Sequence, residues 1–184
     1  MNSKFKEALN LFQKGQLNDA KKLFLEILKQ EPNNFDINFI LGMIAFRQKE
    51  YFKSEEIIKK AIKIRPSHVE IYNFHAIVLL HLKKFDLAIE NWNIAIKLKP
   101  DYLEAYNNRG NLLLELGKNI DALKSYEKAI ELKPDFAEAY NNRGNALLKL
   151  KKIDDALKSY EKAISLKPNY VQAHHNHGHA LYEQ

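Results

Sequence analysis

Cysteine is absent from the 184 residues of this chain. Disulfide bonds, thiol nucleophiles and thiolate metal sites are therefore excluded, and a chain of this composition suits a reducing compartment. Long apolar runs are absent as well, since no segment approaches the roughly 20 residues of a membrane-spanning helix. We therefore expect a cytoplasmic protein with no membrane partner.

Recognisable catalytic motifs are also missing. The sequence contains no glycine-rich phosphate-binding loop, and no nucleophile stands beside a histidine and an acid in the spacing of a catalytic motif. We therefore expect no enzymatic activity and no cofactor.

A large excess of one charge is likewise absent, although the net charge is +6. Lys124 and Lys128 stand beside Glu127 and Glu131 on one predicted helix face. Such a mixture is typical of a solvated surface. The sequence has no combined aromatic and basic stripe on which bases could stack, so we expect no nucleic-acid partner.

Proline is scarce, and its five occurrences are evenly spaced. Each lies 34 residues from the next, at Pro32, Pro66, Pro100, Pro134 and Pro168. A period of this length is typical of a supersecondary unit that is copied and stacked. The register predicts one array over residues 1–184, with repeats at 1–34, 35–68, 69–102, 103–136 and 137–170 and a partial sixth repeat at 171–184.

Each repeat carries two runs of apolar residues at helical spacing, separated near its positions 15–18. Positions 8 and 20 hold small residues and position 24 a large one, as in Gly144, Ala156 and Tyr160. Small residues let two helices approach closely, which explains a glycine inside a predicted helix. The proline ends the second helix, because it disfavours helical geometry in the residue before it. Each repeat is therefore predicted to contain helix A, a turn, helix B and a stop.

A 34-residue helix–turn–helix repeat with these signature positions resembles the tetratricopeptide repeat family, and the resemblance covers the whole chain. It implies an all-α fold, a right-handed superhelical solenoid of antiparallel helix pairs whose A helices line the concave side. It also implies a protein-interaction scaffold whose partner is a protein or a peptide.

The face of helix A opposite its expected core (positions 4, 7, 8 and 11) should line the groove of such a solenoid. In the last three A helices this face is rich in asparagine, and the predicted peptide-binding residues are Asn107, Asn108, Asn111, Asn141, Asn142, Asn145 and Asn176. An asparagine amide offers an acceptor and two donors, which match a peptide bond. Alternatively, these asparagines are only polar surface residues that were copied by duplication.

The asparagine pattern also resembles two kinds of known repeat array. One is the asparagine ladder of O-GlcNAc-transferase-type superhelices, and the other is the repeat array that precedes bacterial glycosyltransferases and sulfotransferases. The resemblance implies that the chain is the recognition arm of a larger glycosyltransferase-like protein.

In the first three A helices the same face is apolar. The predicted apolar groove consists of Phe5, Phe12, Phe39, Ile40, Met43, Phe46, Phe74 and Ile77. An open apolar surface of this kind indicates a covering partner, so self-association into a homo-oligomer is the alternative function. The competing interpretation is that these side chains pack sideways on neighbouring A helices and leave little exposed.

Four histidines fall in the last predicted helix. His175 and His179 share one face at a spacing of four, and His174 and His177 share another at a spacing of three. Either pair could hold a transition metal through neutral imidazoles. The repeat register places His174 and His177 at core positions, which favours a structural role, so no metal site is predicted.

Overall fold

The computed structural model describes residues 3–184 as an all-α chain. That range contains eleven helices: α1 (Ser3–Gln13), α2 (Leu17–Gln30), α3 (Phe35–Arg47), α4 (Tyr51–Ile64), α5 (Val69–His81), α6 (Phe85–Leu98), α7 (Leu103–Glu115), α8 (Asn119–Leu132), α9 (Ala137–Lys149), α10 (Ile153–Leu166) and α11 (Val171–Tyr182).

The helices pack in sequential antiparallel pairs that follow the 34-residue register, which confirms the predicted all-α architecture. The chain divides into two compact units, and the boundary falls inside α6, between Asn91 and Trp92. The N-terminal unit contains α1 to α5 and the pairs α1/α2 and α3/α4. The C-terminal unit contains α7 to α11, the pairs α7/α8 and α9/α10, and α11 packed on α10 and α9.

The turn from helix A to helix B has the same backbone in every repeat. After α1, the N–H of Gly15 donates to the carbonyl of Phe12, and the N–H of Gln16 donates to the carbonyl of Leu11. This pair of bonds is the Schellman motif, which requires a left-handed residue at the first position after the cap. Gly15 meets that requirement with φ of 78°.

Helix B ends at the residue before the proline, as the sequence predicts. Lys133, which precedes Pro134, has an extended backbone with φ −140° and ψ 90°. The proline ring excludes helical geometry at that residue, so the chain leaves α8 there and turns into α9.

Each helix pair is held together by small residues and one large side chain at position 24 of the repeat. Tyr126 and Tyr160 are completely buried. A β-carbon on Gly110 would lie 2.7 Å from Cε1 of Tyr126, and one on Gly144 would lie 2.5 Å from Cε1 of Tyr160. Only glycine fits beneath these rings, which confirms the predicted close approach at position 8.

Helix A buries two positions that the sequence analysis does not assign to the core. Positions 3 and 10 are buried in α5 as Ile71 and Val78, and in α9 as Ala139 and Ala146. A helix A that has neighbours on several sides needs a wider buried stripe than one packed against a single partner.

Candidate functional site

Tyrosine and asparagine side chains form a repeated hydrogen-bond rung in the C-terminal unit. The Tyr126 hydroxyl of α8 donates to Oδ1 of Asn111 on α7 at 2.9 Å. Nδ2 of Asn142 on α9 donates to the same oxygen at 3.0 Å. Three consecutive helices are thus joined through one amide oxygen.

A second rung has the same form one repeat later. The Tyr160 hydroxyl of α10 donates to Oδ1 of Asn145 on α9 at 2.8 Å, and Nδ2 of Asn176 on α11 donates to that oxygen at 3.1 Å. An amide oxygen has two lone pairs, so Oδ1 of Asn145, like that of Asn111, is fully used within the protein. The two bonds therefore fix the orientation of each amide and leave its Nδ2 group as the remaining donor.

Both tyrosines remain protonated and so remain donors. Burial raises the pKa of Tyr160 to about 12 and raises the pKa of Tyr126 further. A phenolate would need solvation that the packed interior beneath helix A does not provide.

Sequence reasoning misses the two tyrosines, because position 24 is already explained by packing. A signal was nevertheless present in the sequence. Repeats four and five combine tyrosine at position 24 with asparagine at position 9, whereas the first three combine an apolar side chain with another: Phe24 with Leu9, Ile58 with Met43 and Trp92 with Ile77.

Asn141 and Asn142 are adjacent in sequence but differ in exposure. Asn142 is half-buried, whereas Asn141 is only 1% exposed. Asn141 donates from Nδ2 to Oδ1 of Asn142 at 3.2 Å and accepts from Nδ2 of Asn176 at 3.0 Å. The prediction that Asn141 lines an open groove is therefore wrong, because position 5 of α9 is covered by the packing of α11 and acts as an internal support.

The two remaining asparagines of α7 are half-buried. Oδ1 of Asn107 is buried and has no hydrogen-bond partner among residues 3–184. Asn108 lies beside it at position 6, one helical turn before Asn111. The binding role predicted for these residues stays a prediction.

The arginines within the two Asn-Asn-Arg-Gly-Asn runs point to helix B. Nε and Nη2 of Arg109 donate to Oγ of Ser125 at 3.2 and 3.1 Å, and Nη1 of Arg143 donates to Oγ of Ser159 at 2.7 Å. Burial lowers the pKa of Arg109. These guanidinium groups thus bond within the helix pairs. The face of helix A that carries the asparagines is therefore determined chemically by amide groups.

The apolar residues predicted on the N-terminal A helices are packed together. Ile40 is 9% exposed and belongs to the core, so its predicted place in an open groove is wrong. The other seven are half-buried: Phe5, Phe12, Phe39, Met43, Phe46, Phe74 and Ile77.

Ring contacts explain why this apolar face is partly covered. The Phe74 ring of α5 lies 5.7 Å from the Phe39 ring and 5.4 Å from the Phe46 ring of α3, both edge to face. Phe5 makes the same type of contact with the buried Phe24 at 5.7 Å. The rings of neighbouring A helices therefore cover one another, which favours sideways packing over an open trough.

One of the four histidines of α11 does not lie where the register predicts. His174 is exposed, and the expectation that it belongs to the core is wrong. Its Nε2 lies 2.8 Å from the carbonyl oxygen of Pro168, six residues earlier. The hydroxyl of Tyr72, which is also at position 4 of its repeat, donates the equivalent bond to the carbonyl oxygen of Pro66 at 2.9 Å.

The helices of residues 3–184 provide neither a membrane span nor a metal centre of three converging ligands. None of these helices has the length and apolar character needed to cross a membrane. Among the same residues, no three or more His, Cys, Asp or Glu side chains converge on a common point suited to a metal ion.

Models of one repeat family match most of the chain. A model described as "TPR repeat" matches residues 78–117 and 110–151, and models described as "Tetratricopeptide repeat" match residues 5–69 and 137–170. No curated protein matches the chain significantly.

Solved structures similar to this chain include a crystal structure of MamA, with a TM-score of 0.84 and 26% identity over 91% of this chain and 96% of that one. YrrB, described as a TPR protein with an unusual peptide-binding site, has a TM-score of 0.80 and 22% identity over 94% of this chain and 89% of its own. A tetratricopeptide repeat protein from Parabacteroides merdae has a TM-score of 0.86 and 18% identity, covering 98% of this chain and 73% of its own.

Proposed function

Since this chain belongs to the tetratricopeptide repeat family, we propose that it is a protein-interaction scaffold whose C-terminal unit binds an extended polypeptide segment. The proposed binding surface, called here the asparagine face, consists of Asn108, Asn111, Asn142, Asn145 and Asn176. Asn107 borders it, and Asn141 supports it from within.

The main support for the proposal is the fixed orientation of the rung amides. Oδ1 of Asn111 and Oδ1 of Asn145 each accept two hydrogen bonds inside the protein. What each amide still offers is the Nδ2 donor, and Asn111 is exposed to solvent. Asn111 and Asn145 therefore present oriented donors on the asparagine face, which suit the carbonyl oxygens of a polypeptide backbone.

The distance between neighbouring A helices favours an extended ligand. Neighbouring packed helices lie about 8–10 Å apart, and α9 lies beside both α7 and α11. An extended chain advances about 3.3 Å per residue, so donors on successive A helices would meet about every third carbonyl group. Backbone carbonyls are common to all sequences, so we expect binding with little dependence on the ligand's side chains.

The test uses a substitution that keeps the rung and removes the donor. In Asn111→Asp with Asn145→Asp, the carboxylate still accepts from Tyr126 and Tyr160, but it repels a backbone carbonyl. We expect peptides selected from a random dodecapeptide library on the unmodified chain to lose binding to this double variant, as measured by fluorescence anisotropy, while its helicity is retained.

A matched control adds the same charge elsewhere. Asn33→Asp with Asn169→Asp changes two exposed loop asparagines outside the asparagine face and should leave peptide binding unchanged. Equal binding by both double variants, or a failure to select any peptide on the unmodified chain, would count against the proposal.

The finer resemblance, to the recognition arm of a glycosyltransferase-like protein, rests on the asparagine pattern alone. None of the three similar structures compared above is described as such an enzyme. We therefore limit the proposal to polypeptide binding.

Self-association through the apolar face of the N-terminal unit is the alternative function, and its support is weaker. None of the predicted apolar residues is among the exposed large side chains of the described chain. The substitution Phe39→Asp with Phe74→Asp separates the two accounts. Packing alone predicts a loss of several kcal/mol of stability, whereas self-association predicts a lower mass by light scattering with stability retained.

A further inference from the structure

The four histidines of α11 differ in how free their rings are. Nε2 of His174 faces the Pro168 carbonyl, which can only accept, so this nitrogen carries the ring proton. His177 is half-buried, with Nε2 3.7 Å from Oε1 of Glu161 on α10. His175 and His179 are exposed, and the side chain of His179 is 53% accessible. His174 is thus hydrogen-bonded, His177 is half-buried with an Nε2 that has no hydrogen-bond partner among residues 3–184, and His175 and His179 are the exposed pair.

The accessible pair lies on one face of the helix. Residues four apart on a helix have β-carbons about 5–6 Å from each other, a spacing that lets two imidazole rings turn toward one ion. We infer that His175 and His179 form a binding site for a divalent transition metal ion such as Zn²⁺ or Ni²⁺. Neutral imidazole is a preferred ligand of both ions.

A carboxylate stands one turn further along the same face. Oε1 of Glu183 lies 3.7 Å from Nε2 of His179. That separation is too long for a hydrogen bond, and it is close to the separation of two donors that each lie about 2.0–2.2 Å from a shared ion. The structure gives this separation for His179 and Glu183 and none for His175, which is consistent with the lack of any converging set of three among the described residues. The site is therefore open, with positions left for water or for a donor from another molecule.

The charges around α11 favour a cation. Glu161 of α10 lies near His177, and Asp154 of α10 accepts at 3.2 Å from Gln184, two residues beyond the end of α11. From α9, the neighbouring side chains Asn141 and Asn145 are neutral. One competing cation is Lys151, whose Nζ lies 3.8 Å from Oε2 of Glu183 with a side chain that is 81% accessible, so its ion pair is weak.

Metal titration of the full chain, prepared without a histidine tag, tests the site. We expect isothermal titration calorimetry with ZnCl₂ at pH 7.5 to give one ion per chain. His175→Gln and His179→Gln should each weaken binding at least about tenfold, which is the lower range for losing even an outer partner of a metal ligand.

The control is the double variant His174→Gln with His177→Gln, which removes the two rings outside the proposed pair and should leave the affinity within about twofold. The inference is overturned if the unmodified chain gives no binding heat, or if this control loses as much affinity as His179→Gln. It is independent of the proposed function, because zinc binding is measured with no peptide present.

Discussion

In three of the five turns between helix A and helix B, a lysine adopts the left-handed backbone conformation that usually favours glycine. Lys49, Lys83 and Lys151 have φ of 62°, 58° and 59°, whereas the equivalent Gly15 and Gly117 have φ of 78° and 72°. A left-handed backbone costs a residue with a β-carbon about 1–2 kcal/mol. Part of that strain is offset because lysine loses less backbone freedom on folding than glycine does.

We expect Lys49→Gly and Lys83→Gly each to raise the free energy of unfolding by about 0.5–1 kcal/mol, because the strain released exceeds the entropy lost. Urea unfolding followed by circular dichroism measures the change. The reverse substitution, Gly117→Lys, should lower stability by a similar amount. Lys53→Gly, inside α4 and not in a turn, should also be destabilising, and a loss of stability in the turn variants would contradict the argument.

His75 is a buried imidazole with one nitrogen unused. Its Nδ1 lies 2.9 Å from Oδ1 of Asn91, whereas Nε2 is buried and has no partner among residues 3–184. Burial lowers the pKa of His75 below its ordinary value of 6.5, although the bond to Asn91 opposes this. Below about pH 6.5 the unfolded chain therefore binds a proton that the folded chain does not bind, and stability falls as the pH falls.

Repeat two shows which residues could replace His75 and Asn91 so that stability no longer falls with pH at this position. There the equivalent positions hold Leu41 and Ile57, which belong to an apolar cluster. We expect His75→Leu with Asn91→Ile to lose less free energy of unfolding between pH 7.5 and 5 than the unmodified chain. Denaturant unfolding at several pH values measures the slope. Asn91→Ile alone should be less stable at every pH, since it removes the partner of Nδ1, and equal slopes in the double variant and the unmodified chain would contradict the prediction.

Glycine at position 8 of helix A has different surroundings in α9 and in α11. A β-carbon on Gly144 would lie 2.5 Å from Cε1 of Tyr160. At Gly178, the equivalent residue of α11, a β-carbon would have no atom within 4 Å. The same residue type therefore serves close packing in α9, whereas in α11 it only lowers the propensity to form a helix.

The substitution to alanine should consequently have opposite effects at these two positions. Gly144→Ala should lower the free energy of unfolding by about 1–3 kcal/mol, because the Tyr160 ring must move. Gly178→Ala should raise helix stability by up to about 1 kcal/mol. Thermal unfolding followed by circular dichroism measures the effect of Gly144→Ala, and the fractional helicity of α11 by NMR measures that of Gly178→Ala. A Gly144→Ala variant more stable than the unmodified chain would contradict the packing account.

The sequence predicts the elements of this protein well because their signals are local. The period of 34 residues, the proline after each helix B and the small residues at positions 8 and 20 can be read directly from the sequence, and the helix pairs follow them. The candidate site is less predictable, because it depends on contacts between repeats. Asn141 and Asn142 have the same side chain, yet only the packing of α11 determines that the first is buried and supports the second.

Burial is distributed unevenly along the described chain. Among residues 3–184, α3 buries eight residues, whereas α1 buries only Ala8, and α11 buries only Ala173 and Ala180. In a repeat array each unit is stabilised by its own contacts and by those with its nearest neighbours. The first and last helices have neighbours on fewer sides, so they should open at the lowest free energy.

We therefore expect native-state hydrogen exchange of this chain to be fastest for the amides of α1 and α11 and slowest for those of α3. Zinc should slow exchange in α11 without changing α1, because an ion held by His175 and His179 restrains one turn of that helix alone. Equal protection of α1 and α3 would mean that side-chain burial does not determine local stability in this array. An equal response of α1 and α11 to zinc would mean that the metal acts elsewhere.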